Sequence, residues 1–272
     1  MKTAEEGNNL IYEGIMGLGP FMAARFGSVE LNCLTSYVQT GAWNENIKFQ
    51  MKNNAGFFPT EDWALTNFCS IIIESLSYVN VLAEWLNENY LIDSYFKDLK
   101  IVQAQLRSVE PYYHANPWSK SLKDKRVLVI HPFEDSIKKQ YEKRSLLFSN
   151  PDVLPEFKLD TIKAVQSIAG SKTEFKTWFE ALDKMRSDIL KKNFDVAIIG
   201  AGAYGLPLAG FIKSIGKKAI HMGGATQILF GIKGKRWDMH EDISKLYNEN
   251  WVRPSADETP ENYMIVEGGT YW

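Results

Sequence analysis

Arg25-Phe26-Gly27-Ser28-Val29-Glu30 places a guanidinium and a carboxylate together at a strand-to-helix junction. An arginine there can clamp a phosphate with paired donors. A glutamate in the first helical turn can bind a metal or a hydroxyl, or simply complement the helix dipole. His131 directly follows the apolar run Arg126–Ile130, and Ser136, Gln140, Tyr141, Lys143 and Arg144 continue it as a polar, net-basic segment. That position suits an acid/base or acceptor-orienting histidine, although a lone histidine also serves as an ordinary hydrogen-bonding residue. The run Asp195–Gly205 carries a short apolar strand into Gly200, Gly202, Tyr204 and Gly205, and a helical pattern follows. Glycines at such a turn allow positive φ and bare amide N–H groups at a helix start, which together seat an anion, usually phosphate.

His221-Met222-Gly223-Gly224-Ala225-Thr226-Gln227 repeats the design one unit later. Two adjacent strands then present glycine-rich carboxyl ends side by side, where open α/β sheets bind ligands. In Lys233–Trp237, Arg236 can neutralise phosphate, and Trp237 either stacks on a base or sugar or plugs the core. The glycine spacing is that of a dinucleotide fingerprint, but such sites also carry an acid at the end of the next strand for the ribose. Here that strand ends Ile220-His221-Met222, and the next acid is Asp238. A nicotinamide- or flavin-dependent oxidoreductase is therefore the weaker reading. A plain tight turn remains an alternative for the glycines.

Positioning these groups requires a particular order of elements. Phe21–Phe26 reads as a short buried strand, with Ser28 as N-cap of a helix from Glu30 to Val38. Residues 41–60 read as irregular, and 60–76 as a helix with a face at 63, 65, 68, 71, 72 and 76. Tyr78–Leu82 reads as a strand, followed by a helix through Trp85, Leu86 and Tyr90. Two prolines make residues 110–120 a loop, aromatic enough to be a binding surface. Ser171 and Glu174 form a capping-box pattern before a helix that puts Phe175, Trp178, Phe179, Leu182, Met185 and Ile189 on one face. Strand 194–199, helix 205–215, strand 218–221 and helix 225–230 complete a βαβα alternation. This predicts an open, mostly parallel sheet with helices on both faces, in one α/β domain over residues 1–272.

Composition narrows the class. With 272 residues, 45% hydrophobic, the chain can bury a core without staples. A net charge of -2 argues against a general nucleic-acid binder. Cys33 and Cys69 are the only cysteines, which suits a reducing compartment, and no pair has zinc-ligand spacing. No signal peptide or membrane span is readable, so the expectation is a cytoplasmic protein. The aromatic end Gly268-Gly269-Thr270-Tyr271-Trp272 suggests a segment docked on the domain or on a partner subunit, and the oligomeric state stays open.

The Arg-Phe-Gly-Ser-Val-Glu block at 25–30 resembles the N-terminal signature of bacterial glycosyltransferases of the GT-D fold, Arg-hydrophobic-Gly-Asp-Gly-Glu. The Gly-Ala-Gly-Ala-Tyr-Gly, His-Met-Gly-Gly-Ala-Thr-Gln and Phe-Gly-Ile…Arg-Trp blocks are similar to the carboxyl-terminal part of GT-D-like proteins from surface-polysaccharide contexts. The resemblance implies a Rossmann-like domain that transfers sugar from a nucleotide-sugar donor to a hydroxyl of a glycan or glycoprotein acceptor. It puts Glu30 and Arg25 at the reacting end, with Glu30 serving a divalent cation, Mn or Mg. The family's Asp falls on Ser28 here, so cationic donors at Arg25, Arg144 and Arg236 could take the metal's place. A non-catalytic nucleotide-sugar-binding protein is the alternative that this departure favours. The expected donor-binding set is Gly200, Gly202, Tyr204, Gly205, His221, Gly223, Gly224, Gln227, Arg144 and Arg236, with Glu30, His131 and Arg25 as the catalytic set.

Overall fold

The computed structural model describes residues 1–86 and 88–272, with Asn89 described by its backbone alone. Seven strands, β1 (Phe21–Arg25), β2 (Val81–Glu84), β3 (Val102–Gln105), β4 (Arg126–His131), β5 (Lys158–Lys163), β6 (Val196–Ile199) and β7 (Lys218–His221), form one sheet. Its order is β3-β2-β1-β7-β6-β4-β5, and every neighbouring pair is parallel. The central strands send apolar side chains to both faces, as a parallel sheet covered on both sides requires. Met22, Ala24, Leu128, Ile130, Ala197 and Ile199 enter one core, while Phe21, Ala23, Val127, Val129, Val196 and Ile198 enter the other.

Among the described residues eleven α-helices flank the sheet: α1 (Ala4–Met16), α2 (Ser28–Thr40), α3 (Glu45–Asn53), α4 (Asp62–Leu76), α5 (Glu88–Tyr95), α6 (Glu134–Glu142), α7 (Trp178–Leu190), α8 (Gly205–Ser214), α9 (Ala225–Leu229) and the short α10 (Lys235–Asp238) and α11 (Glu241–Ser244). The first core takes side chains from α2, α4, α7 and α8, the second from α1, α6 and α9. The α/β architecture is thus the expected one, but several local readings shift. Gly27, not Ser28, is the N-cap of α2. The stretch 41–60 contains α3, whose polar sequence buries only Met51. Helix α7 starts after Thr177, whose hydroxyl accepts from the Glu180 amide, so Ser171 and Glu174 cap nothing. Residues 110–120 include two 3₁₀ turns, Pro111–Tyr113 and the start of Trp118–Leu122.

The chain runs from β1 outward to β2 and β3, then restarts at the opposite flank with β4 and β5. Strands β6 and β7 fill the gap, so β1 and β7 meet where the two directions diverge. Strand β1 feeds α2 on one face and β7 feeds α9 on the other. A crevice at such a switch point opens outside the carboxyl ends of the strands. The segment 251–272 lies beside it, joined by a parallel bridge between Ile232 and Val252. Trp272 and Thr270 carbonyls accept from the Lys235 and Arg236 amides, each at 3.0 Å. Among the described residues no helix is long and apolar enough to cross a membrane.

Candidate functional site

The crevice is a cavity of about 810 Å3 that draws its walls from the ends of β1, β4, β6 and β7. At its base the Arg25 guanidinium lies 4.7 Å above the Trp85 ring. Its Nε is buried with no hydrogen-bond partner, and it forms no ion pair among the described residues. Burial pulls its pKa below the ordinary arginine value, against the pull of Tyr271, Glu30 and Glu110. Arginine nevertheless stays charged in proteins. Arg25 is half-buried; a cation partly withdrawn from water without a paired anion is costly, and an anionic ligand is the direct way to satisfy it.

The glycines of the site prove to be spaces for its side chains. A Cβ on Gly205 would fall 2.0 Å from the His221 ring, and one on Gly200 would fall 2.7 Å from that of His131. A Cβ on Gly27 would meet a Glu30 carboxylate oxygen at 1.9 Å, and one on Gly223 would meet Arg25 Nη1 at 2.8 Å. Gly223 also has φ of 59°, a conformation that favours glycine. An anion seat survives beside these contacts. The N–H groups of Ala201, Gly202 and Gly224 have no backbone acceptor among the described residues, and all three residues line the cavity.

His131 and His221 end β4 and β7 and are both buried. His131 Nδ1 accepts from the Phe133 amide at 2.9 Å, which leaves the proton of the neutral ring on Nε2. His221 Nδ1 lies 3.3 Å from the Ile199 carbonyl, so that nitrogen carries the proton and Nε2 is the acceptor. Burial pushes both pKa values down to about 3, helped for His221 by Arg25. The pair therefore offers one neutral donor and one neutral acceptor. The acid/base role expected of His131 is disfavoured, because its ring resists protonation and its free nitrogen already holds a hydrogen; the acceptor-orienting role fits.

Glu30 folds back over Gly27 at the start of α2. Burial raises its pKa, against the pull of its own backbone amide and Arg25. A divalent cation normally takes several oxygen ligands. Among the described residues no three His, Cys, Asp or Glu side chains gather in a metal-holding arrangement, and Ser28 supplies no second carboxylate. These residues do not suit the cation that the Glu30 motif implied, and a guanidinium near Glu30 opposes it further.

The remaining expected residues separate into two groups. Gln227 and Arg236 line the cavity. Gln227 Nε2 donates to the Lys233 and Tyr271 carbonyls at 3.1 Å, while its Oε1 is buried and unpartnered. Arg236 Nη1 donates to the Tyr271 hydroxyl at 3.2 Å, and Trp237 packs against Gly224 and Gly234 at the cavity wall. Tyr204 also borders the cavity, but its ring stacks on Trp178 at 4.9 Å and its hydroxyl meets Ser167, so packing accounts for most of its surface. Arg144 does not reach the crevice, since it pairs with Glu156 at 3.1 Å and covers the Tyr141 ring. His114, outside the crevice, bonds Glu5 and the Arg107 carbonyl.

Three contributors had no assigned role in the motif reading: Trp85 after β2, Glu110 after β3, and the segment ending in Tyr271 and Trp272. The aromatic character of residues 110–120 and of the last five residues signalled two of these regions without naming the groups. That last segment is held by Trp272 Nε1, which donates to the Glu258 carbonyl at 3.0 Å. Glu258 in turn caps α6, accepting from the Asp135 and Ser136 amides at 2.9 and 3.1 Å. The chain has no match among family models, curated proteins or solved structures.

Proposed function

We propose that the crevice binds the diphosphate of a nucleotide sugar and that the protein transfers the sugar to a hydroxyl acceptor in surface-glycan or glycoprotein assembly. The observation that carries this reading is the half-buried Arg25 guanidinium, its Nε sealed from water without a partner, unpaired at the β1/β7 switch point and approached by the bare Cα of Gly223. Arg25, the free amides at Ala201, Gly202 and Gly224, and Arg236 would together neutralise charge as it develops on the leaving diphosphate. His131 Nε2–H and His221 Nε2 would orient hydroxyls as donor and acceptor. The cavity volume, about 810 Å3, is within the range of small-molecule sites and leaves space beyond a nucleotide.

The absence of a carboxylate at the end of β7, where His221 stands, continues to disfavour a nicotinamide cofactor. A second reading, binding without turnover, is favoured by Ser28 in place of the motif's acid. Thermal-shift and turnover measurements with UDP-, GDP- and CMP-sugars, each with and without Mn²⁺, separate the two. Metal-independent binding that Arg25→Met abolishes, with release of the nucleotide product, is the expected result. Binding without release supports the second reading, and no binding to any donor refutes both.

A further inference from the structure

We propose that Glu110 is the general base of this crevice, removing the proton from the hydroxyl or water that attacks the donor's anomeric carbon. The inference rests on the donor-binding reading above. Glu110 sits between two 3₁₀ turns, its amide donating to the Arg107 carbonyl at 3.1 Å and its carbonyl accepting from the Tyr113 amide at 3.2 Å. This fixes the backbone from both sides, and the residue lines the same cavity as Arg25. Its carboxylate forms no ion pair among the described residues. Three basic groups face it: Arg25, whose charge lowers its pKa most, then Arg107, which is committed to Asp242 at 2.5 Å and to the face of Tyr113, and His114, which bonds Glu5 and the Arg107 carbonyl. Beside it the buried Tyr112 hydroxyl is the polar neighbour of the Glu110 carboxylate and draws its pKa down against the effect of burial.

The other titratable groups of the crevice suit this task less well. His131 has its free nitrogen protonated, and His221 is too weak a base beside Arg25. Glu30 is turned over its own helix start. Burial raises the Glu110 pKa to about 7, so a substantial fraction is ionised near neutrality while the conjugate acid stays weak enough to form. In the step, the attacking oxygen bonds to the anomeric carbon as the bond from that carbon to the diphosphate oxygen breaks. The electron pair leaves with the diphosphate, and the proton of the attacking oxygen passes to the Glu110 carboxylate.

Water as acceptor allows a test without the natural one. Glu110→Gln and Glu110→Asp would be compared with the unaltered protein for donor affinity, for hydrolysis of the UDP-, GDP- and CMP-sugar panel, and for turnover with sodium azide. Azide attacks without losing a proton. Expected are donor affinity within about threefold of the original for Glu110→Gln, hydrolysis slower by about 100-fold or more, and azide-restored turnover as glycosyl azide. Hydrolysis by the unaltered protein should rise through an ionisation near 7, and that limb should vanish in Glu110→Gln. Unchanged hydrolysis, a slow variant that azide fails to rescue, or donor binding lost in both variants each overturns the base assignment while the donor site stands. Failure of the unaltered protein to bind any donor removes the donor site and the base together.

Discussion

Gly205→Ala should change sign with its neighbour. Gly205 has φ of −61° and ψ of −52°, ordinary helical values at the start of α8. An alanine accepts that backbone, and on this ground alone the substitution should stabilise by about 0.4–1 kcal/mol, mainly by restricting the unfolded chain. The added methyl carbon, however, would lie 2.0 Å from His221 Cε1 and 2.5 Å from Nδ1. The ring is buried under α8 with Nδ1 aimed at Ile199, so it yields only by leaving its place. Overpacking of this kind costs about 1–3 kcal/mol, and the net change should be a loss of roughly 1–2 kcal/mol. In a His221→Ala background the obstruction is gone, and Gly205→Ala should become stabilising. Urea unfolding of the four proteins gives the coupling, expected at about 2 kcal/mol. Equal effects of Gly205→Ala in both backgrounds would refute the claim that this glycine exists to house the histidine.

Other consequences follow from the same contacts. Arg25→Met should raise the melting temperature of the ligand-free protein, by a stability gain on the order of 1 kcal/mol, while erasing nucleotide-induced shifts; thermal melts with and without UDP decide it. Between pH 6.5 and 4.5 the unfolded chain takes up protons at both histidines that the folded rings, with pKa about 3, refuse, so this term lowers stability as pH falls. Glu110, raised to about 7 by burial, and Glu30, also raised, act in the opposite sense, favouring the folded state below their folded pKa values. Replacing His221 with Gln should therefore flatten the acid loss by up to about 1.4 kcal/mol per pH unit, read from urea unfolding across that window. Glu258→Ala strips α6 of its cap and Ser136 of its partner, and should cost about 1–2 kcal/mol and speed proteolysis of residues 255–272. Unchanged cleavage would mean that the segment is anchored by its aromatic rings alone.

The strands that build the crevice were readable because each is an apolar run buried on both faces, as in Val127–Ile130 and Val196–Ile199. Edge strands β3 and β5 are not legible in the sequence because Gln103, Gln105, Lys158 and Lys163 break the apolar run, and an edge tolerates that. The start of α7 is ambiguous in the sequence because Ser171–Glu174 and Thr177–Glu180 carry the same capping pattern, and only the second adjoins the buried face. The glycine turns were found by spacing, yet spacing could not show what fills the room they leave. Trp85, Glu110 and Tyr271 reach the site through separate segments far apart in the chain, which no local pattern encodes.

The close fit of Gly27 to Glu30, Gly205 to His221 and Gly223 to Arg25 has an evolutionary consequence. Each glycine and its side chain share one volume, so neither can change size alone. Diverging relatives should exchange them as pairs, with alanine at 205 only where 221 has shrunk and a side chain at 223 only where the guanidinium is gone. Covariation between those positions, more than the persistence of any one glycine, would be the lasting mark of this crevice in its descendants.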